Sequence, residues 1–435
     1  MTINTKTNPS VCIYPWSHSY LGCKYERKLC CIALDATDGQ KTLDEDWWNG
    51  DYMKTVRLKM LNGEKLKDCE PCYANEALQV PSLRQEATND KNVTEDIFET
   101  QEDGSVDVLP TYFDFRTIHC NLQCVSCGDV YSSTHIKLKE EMFPDPNRKS
   151  FKPDYAFEAK MAETMIESIR HRRCNKIYWA GGEPMMALLH WQVMEFIENQ
   201  RKIPGEEEYI NSISMHYNTN LTKLKWQGKS IPAMLEPNQP IIQASLDGTH
   251  ETIEYTRDGC NWKDIETNFK EYYKYLNKHK QFGVASVLSA PVIFDIDRWM
   301  EFYKPYNPYL HNHKYMTNID YYPTAAPSML AIELFPQRIF DRVVGNAIDK
   351  FKQSGLRNSR KSVQILKSYK KQKEQRPDIF DNDEKIREVK GLTMYRDKWL
   401  HTKRSFGELI KITDREAFEW YDSIKPIFPK HMKNA

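Results

Sequence analysis

Cys120-Asn121-Leu122-Gln123-Cys124-Val125-Ser126-Cys127-Gly128 places three cysteines at the spacing C-x3-C-x2-C. A β-prone run, Tyr112 to Ile118, leads into it and reads as a strand. Three thiolates can hold three corners of a cubane [4Fe–4S] cluster and leave the fourth iron without a protein ligand. An iron with an open position can bind a small molecule and pass it an electron. The competing reading is a structural zinc loop or a set of reduced thiols. Zinc usually takes a fourth Cys or His nearby, and His119 adjoins Cys120, where neighbouring residues rarely both reach one metal.

Downstream of this loop, strand-like and helix-like segments alternate, which argues for an α/β architecture with a parallel sheet. Strands are expected at Tyr112–Ile118, Lys176–Ala180, Ser212–Tyr217, Ile241–Leu246, Phe282–Leu288 and Tyr315–Tyr321. Phe157, Met161, Met165, Ile166 and Ile169 recur at helical spacing, so about 154–170 is expected to be an amphipathic helix whose stripe is core. Gly181-Gly182-Glu183-Pro184 follows the second strand. Its glycines let a ligand approach the backbone closely, and its carboxylate can accept hydrogen bonds from an ammonium group. A plain strand-to-helix turn is the alternative. Asn218-Thr219-Asn220 ends the third strand and reads equally as an Asx-type turn. Ser245-Leu246-Asp247-Gly248 ends the fourth and is followed by Glu254 and Arg257. Cys174 precedes the second strand and is expected to be inert; Cys260 is read as a buried spectator that could face the active site.

The first hundred residues hold six of the eleven cysteines: Cys12, Cys23, Cys30, Cys31, Cys69 and Cys72. Cys69-Glu70-Pro71-Cys72 is a half-site for zinc or iron–sulfur. Tyr20–Tyr25 and Lys28–Leu34 could pair as a hairpin turning at Glu26-Arg27, with Cys23 nearly opposite Cys30. Cys30 and Cys31 point to opposite faces of a strand, so one of them at most is expected to be a ligand. Residues 86 to 108, rich in acidic side chains, read as a solvated linker.

The block Cys120 to Gly128 resembles the signature of the radical SAM superfamily, enzymes that cleave S-adenosylmethionine (SAM) reductively. The resemblance implies a partial (β/α)6 TIM-type barrel with chemistry at the C-terminal ends of its strands. It implies that Cys120, Cys124 and Cys127 ligate a [4Fe–4S] cluster with SAM on its open iron. It also implies that Gly181, Gly182, Glu183 and Pro184 meet the SAM amino group, that Asn218 and Asn220 lie near its ribose, and that Ser245 and Arg257 hold its carboxylate. An arginine fork suits a carboxylate. One departure is Ser126, where the family usually has an aromatic or large apolar residue. In some family members a thiol returns a hydrogen atom to a substrate radical, which makes Cys260 a weak candidate for that role.

The segment from Cys12-Ile13-Tyr14-Pro15-Trp16 through Trp48-Asn49, Met53 to Arg57 and Gly63 to Ser82-Leu83-Arg84 resembles a twitch domain, the shortened relative of the SPASM domain. Here it precedes the barrel. The likeness implies an auxiliary iron–sulfur cluster, expected as [4Fe–4S], on Cys12, Cys69, Cys72 and one of Cys30 or Cys31, with Cys30 preferred. The family's glycine a few residues before that cysteine is replaced by Tyr25 or Glu26, which leaves the choice among Cys23, Cys30 and Cys31 open.

The chain has 435 residues with 61 basic and 61 acidic side chains, so its formal net charge is zero and no broad attraction to nucleic acid or an anionic membrane is predicted. No apolar run of about 18 residues is present, so no transmembrane helix is expected. Met1 to Ser10 is polar and lacks the apolar core of a signal peptide, and the cysteine usage favours metal or redox chemistry over disulfides. The expected location is the cytoplasm. Three regions follow: 1–100, twitch-like domain and linker; 109–325, radical SAM partial barrel; 326–435, a helical extension. In the extension, helical periodicity is expected near 331–354, 361–372 and 404–423. The lysine-rich stretch Lys367 to Arg376 reads as a solvated face or as a contact for a peptide or nucleic-acid substrate. The resemblance predicts an oxidoreductase that abstracts hydrogen from a peptide or protein, with a small-molecule or nucleotide substrate as the alternative. It also predicts a reducing partner such as flavodoxin or ferredoxin. A non-enzymatic metal-binding interaction module is the reading from another class.

Overall fold

The computed structural model describes residues 10–34, 46–77, 81–88, 99–145, 147, 150–277, 281–314, 329–400 and 403–428. The chain divides into two compact units. The first comprises 1–119, 149–218 and 237–240; the second comprises 120–148, 219–236 and 241–435.

In the first unit four strands run parallel in the order β1 (His18–Leu21), β2 (Tyr112–Thr117), β3 (Lys176–Gly181) and β4 (Ser214–Thr219). Register puts Tyr20 beside Asp114, Asp114 beside Tyr178, and Arg116 beside Ala180. Period-two alternation sorts the side chains. Phe115 and Trp179 meet edge to face, and Trp179 continues onto His190 of the helix Leu188–Arg201. Tyr112, Asp114, Arg116 and Tyr178 therefore occupy the other face. The expected helix over 154–170 is Tyr155–Arg170, with Asp154 capping it by accepting from the Phe157 amide.

The N-terminal segment has its own apolar core of Val11, Ile13, Trp16, Leu29, Met53, Val56, Met60 and Val106. Arg57, on the helix Asp51–Leu61, is fully buried and ties this core together. It donates to Pro15 O at 2.9 Å, Trp48 O at 2.7 Å and Gly104 O at 3.3 Å. Burial lowers its pKa to about 10. The expected solvated linker is corrected at its end. Val106 is buried, Trp48 Nε1 donates to Val108 O, and Asn49 Nδ2 donates to Val106 O. Residues 89–98 of that stretch lie outside the described residues.

The hairpin over Tyr20–Leu34 is not formed. His18–Leu21 pairs in parallel with Tyr112–Phe115 instead. The chain then closes a tight turn, with Gly22 N donating to Glu26 O and Tyr25 N to Gly22 O. Tyr25 stands in the left-handed region at φ 66°. Its hydroxyl holds it there, donating to Glu158 Oε1 at 2.8 Å and accepting from Asp154 N at 2.7 Å.

In the second unit β5 (Ile241–Ser245), β6 (Phe282–Leu288) and β7 (Tyr309–Lys314) are parallel neighbours in that order. The α/β class with parallel strands, of the partial-barrel type, is the one observed. The expected sixth strand at 315–321 lies outside the described residues; the strand found is Tyr309–Lys314. The C-terminal helices pack within this unit. Leu310 N donates to Arg357 O, Asn358 Nδ2 to Leu310 O and Asn312 Nδ2 to Ser362 Oγ, so the edge of β7 is covered.

The expected helices are Gln337–Ser354, Ser359–Gln375, Phe406–Thr413 and Arg415–Ser423, the last two separated at Asp414. A further helix, Asp383–Trp399, was not expected from the sequence. On the lysine-rich stretch, Lys373 is buried, donating to Glu333 O and pairing with Asp381. No helix among the described residues is long and apolar enough to cross a membrane.

Candidate functional site

The three-cysteine loop leaves a short antiparallel ribbon in which Gln123-Cys124 pairs with Arg257-Asp258. Its carbonyls and amides are pinned from the following segment. Ser132 Oγ and Thr134 Oγ1 donate to Leu122 O, Cys120 N donates to Ser133 Oγ, and His135 Nε2 meets Cys124 O at 3.0 Å. Cys127 N donates to Cys124 O at 3.0 Å, a turn that draws their side chains together. Cys124 is buried, Cys120 half-buried and Cys127 exposed. Burial pushes the Cys124 thiol well above its ordinary value, against the Arg257 charge and with the added repulsion of Cys127 and Cys120. Three neighbouring thiols graded from buried to open are a donor set that fits a cluster presented at a surface.

Arg257 stands at the edge of this loop. Its Nη1 is 3.8 Å from Cys124 Sγ and its Nη2 is 2.8 Å from Asp247 Oδ2. Asp247 is buried, and its other oxygen accepts from Val287 N at 2.7 Å. Burial opposes the Arg257 charge, but Asp247 and Cys124 outweigh it and raise its pKa. Asp247 thus holds the guanidinium beside the Cys124 thiol. Ser245 ends β5, two residues before it.

Asn220 is buried within the same unit and donates to Asn121 Oδ1 at 3.3 Å, so it braces the residue after Cys120. Asn218, by contrast, belongs to the first unit and donates to the Tyr178 hydroxyl at 2.7 Å. Cys260 is buried with its thiol directed at Ile253 O (3.6 Å), and Cys174 is fully buried.

The Gly181-Gly182-Glu183-Pro184 turn is held against β2. Gly181 has φ 97°, and a Cβ there would stand 2.3 Å from Thr117 O, so only glycine fits. Gly182 N donates to Thr117 O at 2.6 Å and Glu183 N to His119 O at 2.7 Å. Glu183 is fully buried, and its carboxylate accepts from Met185 N at the start of Pro184–Met186.

In the N-terminal segment a cavity is lined by Cys12, Cys30, Cys69 and Cys72, with Tyr14 and Arg84. Cys31 and Cys23 do not line it. Cys23 packs instead on Gly181 and directs its thiol to Thr117 O at 3.3 Å. Among the described residues no three His, Cys, Asp or Glu side chains are placed to hold a single metal ion, either at this cavity or at the Cys120–Cys127 loop. Burial pushes Cys30 and Cys69 up to about 12. A positively charged polynuclear cluster would offset that penalty, which four empty thiols cannot. Arg84 is held at this wall by Glu76 (2.5 Å) and by Val11 O (2.9 Å).

Sequence reading missed one further group. On the polar face of the first unit's sheet, Asp114, Arg116, Tyr20 and Tyr178 meet. A strand reading Tyr-Phe-Asp-Phe-Arg-Thr signals alternation, and only the partner strands tell which face carries the ion pair.

No family model matches the chain, and no curated protein matches it. Among solved structures, it is similar to native anSMEcpe with bound AdoMet at 16% identity and TM-score 0.37, over 55% of this chain and 59% of that one. It is similar to Streptococcus suis SuiB bound to precursor peptide SuiA at 14% identity and TM-score 0.35, over 56% and 47%. For SuiB bound to S-adenosylmethionine the values are 13% and 0.36, over 69% and 64%. The chain therefore spans less than the full length of these structures, and the low scores leave them as likenesses in part of the fold.

Proposed function

We propose that this protein is a radical SAM enzyme that oxidatively modifies a peptide or protein side chain. The observation that carries the reading is the Cys120–Cys127 loop, with Arg257 fixed by Asp247 next to Cys124. Cys120, Cys124 and Cys127 would hold the cluster. When bound and reduced, that cluster supplies the electron that splits SAM into methionine and a 5′-deoxyadenosyl radical able to abstract hydrogen from an unactivated C–H bond. The chain's part is to bind and aim. Arg257, already oriented, offers its fork to the SAM carboxylate. Gly181 and Gly182 let the amino end of SAM approach the backbone, and Glu183 gives the turn its acceptor. Asn220 keeps the cysteine loop in shape through Asn121. Cys12, Cys30, Cys69 and Cys72 would hold an auxiliary cluster with every iron ligated, a composition suited to moving electrons rather than binding substrate.

The test is anaerobic reconstitution with iron and sulfide, followed by iron counting and assay of 5′-deoxyadenosine with SAM and dithionite. About eight irons and deoxyadenosine formation are expected, four irons per cubane. Zinc in place of iron, or no SAM cleavage by fully loaded protein, would overturn the reading in favour of a metal-binding interaction module.

A further inference from the structure

We propose that Arg116, gripped by Asp114 between the rings of Tyr20 and Tyr178, is the anchor for a carboxylate of the substrate and holds it beside the four-cysteine cavity. The proposal rests on the radical SAM reading for its chemistry, but the site itself is read from the first unit alone.

Four parallel strands present their C-terminal ends here, the ends at which barrel proteins assemble substrate sites. Tyr20, Arg116 and Asn218 are each the last residue but one of their strands. Asp114 is buried, with its side chain 1% exposed, while that of Arg116 is 22% exposed. Asp114 accepts from Arg116 Nε at 3.1 Å and Nη2 at 3.2 Å. Those bonds use one edge of the fork, and the end formed by its two Nη groups is the edge that suits a second carboxylate. The guanidinium lies 5.4 Å from the Tyr20 ring and 5.6 Å from the Tyr178 ring, which fixes its plane. Tyr178's hydroxyl accepts from Asn218 Nδ2, which leaves its own proton to donate.

Charge on this face favours an anion. Asp114 and Arg116 cancel, and Lys176, on the same face over the Tyr112 ring, adds one positive charge. The histidines there stay neutral: burial lowers His18 to about 3 and His216 to about 4. Of the pair, Asp114 is sealed off and Arg116 is the partner a solute can reach.

Location supplies the second half of the inference. Tyr14 lines the four-cysteine cavity, and its ring meets that of Tyr112, on the face of β2 that carries Asp114 and Arg116, at 6.1 Å. One aromatic pair therefore joins a wall of that cavity to the strand that holds the anchor. A carboxylate bound at Arg116 would bring its carbon chain up against the auxiliary site, where an electron from an oxidised substrate has to go. The carboxylate could be an acidic side chain of a peptide or its C-terminus.

Equilibrium dialysis of the full-length reconstituted protein tests this with three labelled probes: Nα-acetylglutamic acid N-methylamide, N-acetylglycine and the neutral Nα-acetylglutamine N-methylamide. At least one carboxylate probe should bind about tenfold more tightly than the neutral one, and which one does so identifies side chain or terminus. In Asp114→Asn/Arg116→Gln, which removes both charges together, the preference should vanish. A wild type without preference, or a double variant that retains it, would overturn the anchor. Should the double variant fail to fold, Arg116→Lys keeps the charge and loses the fork; a loss of about tenfold is expected, and unchanged binding counts against the proposal. The wild-type deoxyadenosine assay reports separately on the parent reading. Carboxylate binding without deoxyadenosine would keep the anchor and remove the radical chemistry; the reverse would remove the anchor alone.

Discussion

The two cysteine sites are built in opposite ways. Cys120, Cys124 and Cys127 come from one loop of eight residues, end with an exposed thiol, and have the Arg257 guanidinium 3.8 Å from Cys124 Sγ. Cys12, Cys30, Cys69 and Cys72 come from segments up to sixty residues apart and close around a cavity. A loop of three can be left open to a small ligand. A ring of four, gathered by tertiary packing, has a thiol for every iron of a cubane. On the proposed reading, chemistry with a co-substrate belongs to the first and electron passage to the second.

The largest effect should come from emptying the open site. Cys120→Ala, Cys124→Ala and Cys127→Ala together should lower iron from about eight to about four per chain and abolish deoxyadenosine formation. Retained cleavage would break the comparison at once. Next is Cys30→Ser, which removes one wall of the closed site. About four irons should be lost on reconstitution, while the open site still cleaves SAM. Loss of both clusters would mean that the two sites fold as one.

Smaller still is Asp247→Asn. It keeps the acceptor for Val287 N and removes the charge opposite Arg257. Taking one partner from a buried pair costs about 3 kcal/mol in stability. With the guanidinium less firmly held, the Kd for SAM should rise about tenfold, with iron content unchanged. Unchanged SAM binding, measured by dialysis on loaded protein, would leave Asp247 as an acceptor for Val287 N alone.

What could be read in the sequence follows the same contrast. The three-cysteine loop is local: C-x3-C-x2-C is recognisable as a motif, and so, each in its own unit, are Gly181-Gly182-Glu183 and Arg257. The strands before and after them follow from alternation. The closed site is non-local. Nothing in Cys30-Cys31 says which thiol turns inward, because that depends on how Leu29 and Cys30 pack on Met60 and Cys69. The false hairpin has the same cause. His18–Leu21 finds its partner 94 residues away at Tyr112–Phe115, and local β-propensity cannot see that far. Helix Asp383–Trp399 escaped because its buried face includes Lys390, Gly391 and Asp397, residues that read as solvent-facing. Lys390 reaches Tyr421 O and Ile424 O, and Asp397 meets the Tyr255 hydroxyl and Phe406 N.

The least perturbing change sharpens the comparison most. Cys31 adjoins a cavity-lining cysteine yet is exposed and does not line the cavity itself. Partial desolvation and the Asp114 charge raise its pKa, so its thiol is protonated at neutral pH and holds no charge that a serine would lack. Cys31→Ser should leave iron content and the low-temperature EPR of the reduced protein as in the wild type, and should shift stability by less than about 1 kcal/mol. The neighbouring Cys30→Ser should behave in the opposite way. If Cys31→Ser instead loses iron, the closed site can exchange one cysteine for the next. A ring able to exchange ligands can also open one, and the line between a site that binds and a site that only conducts would no longer hold.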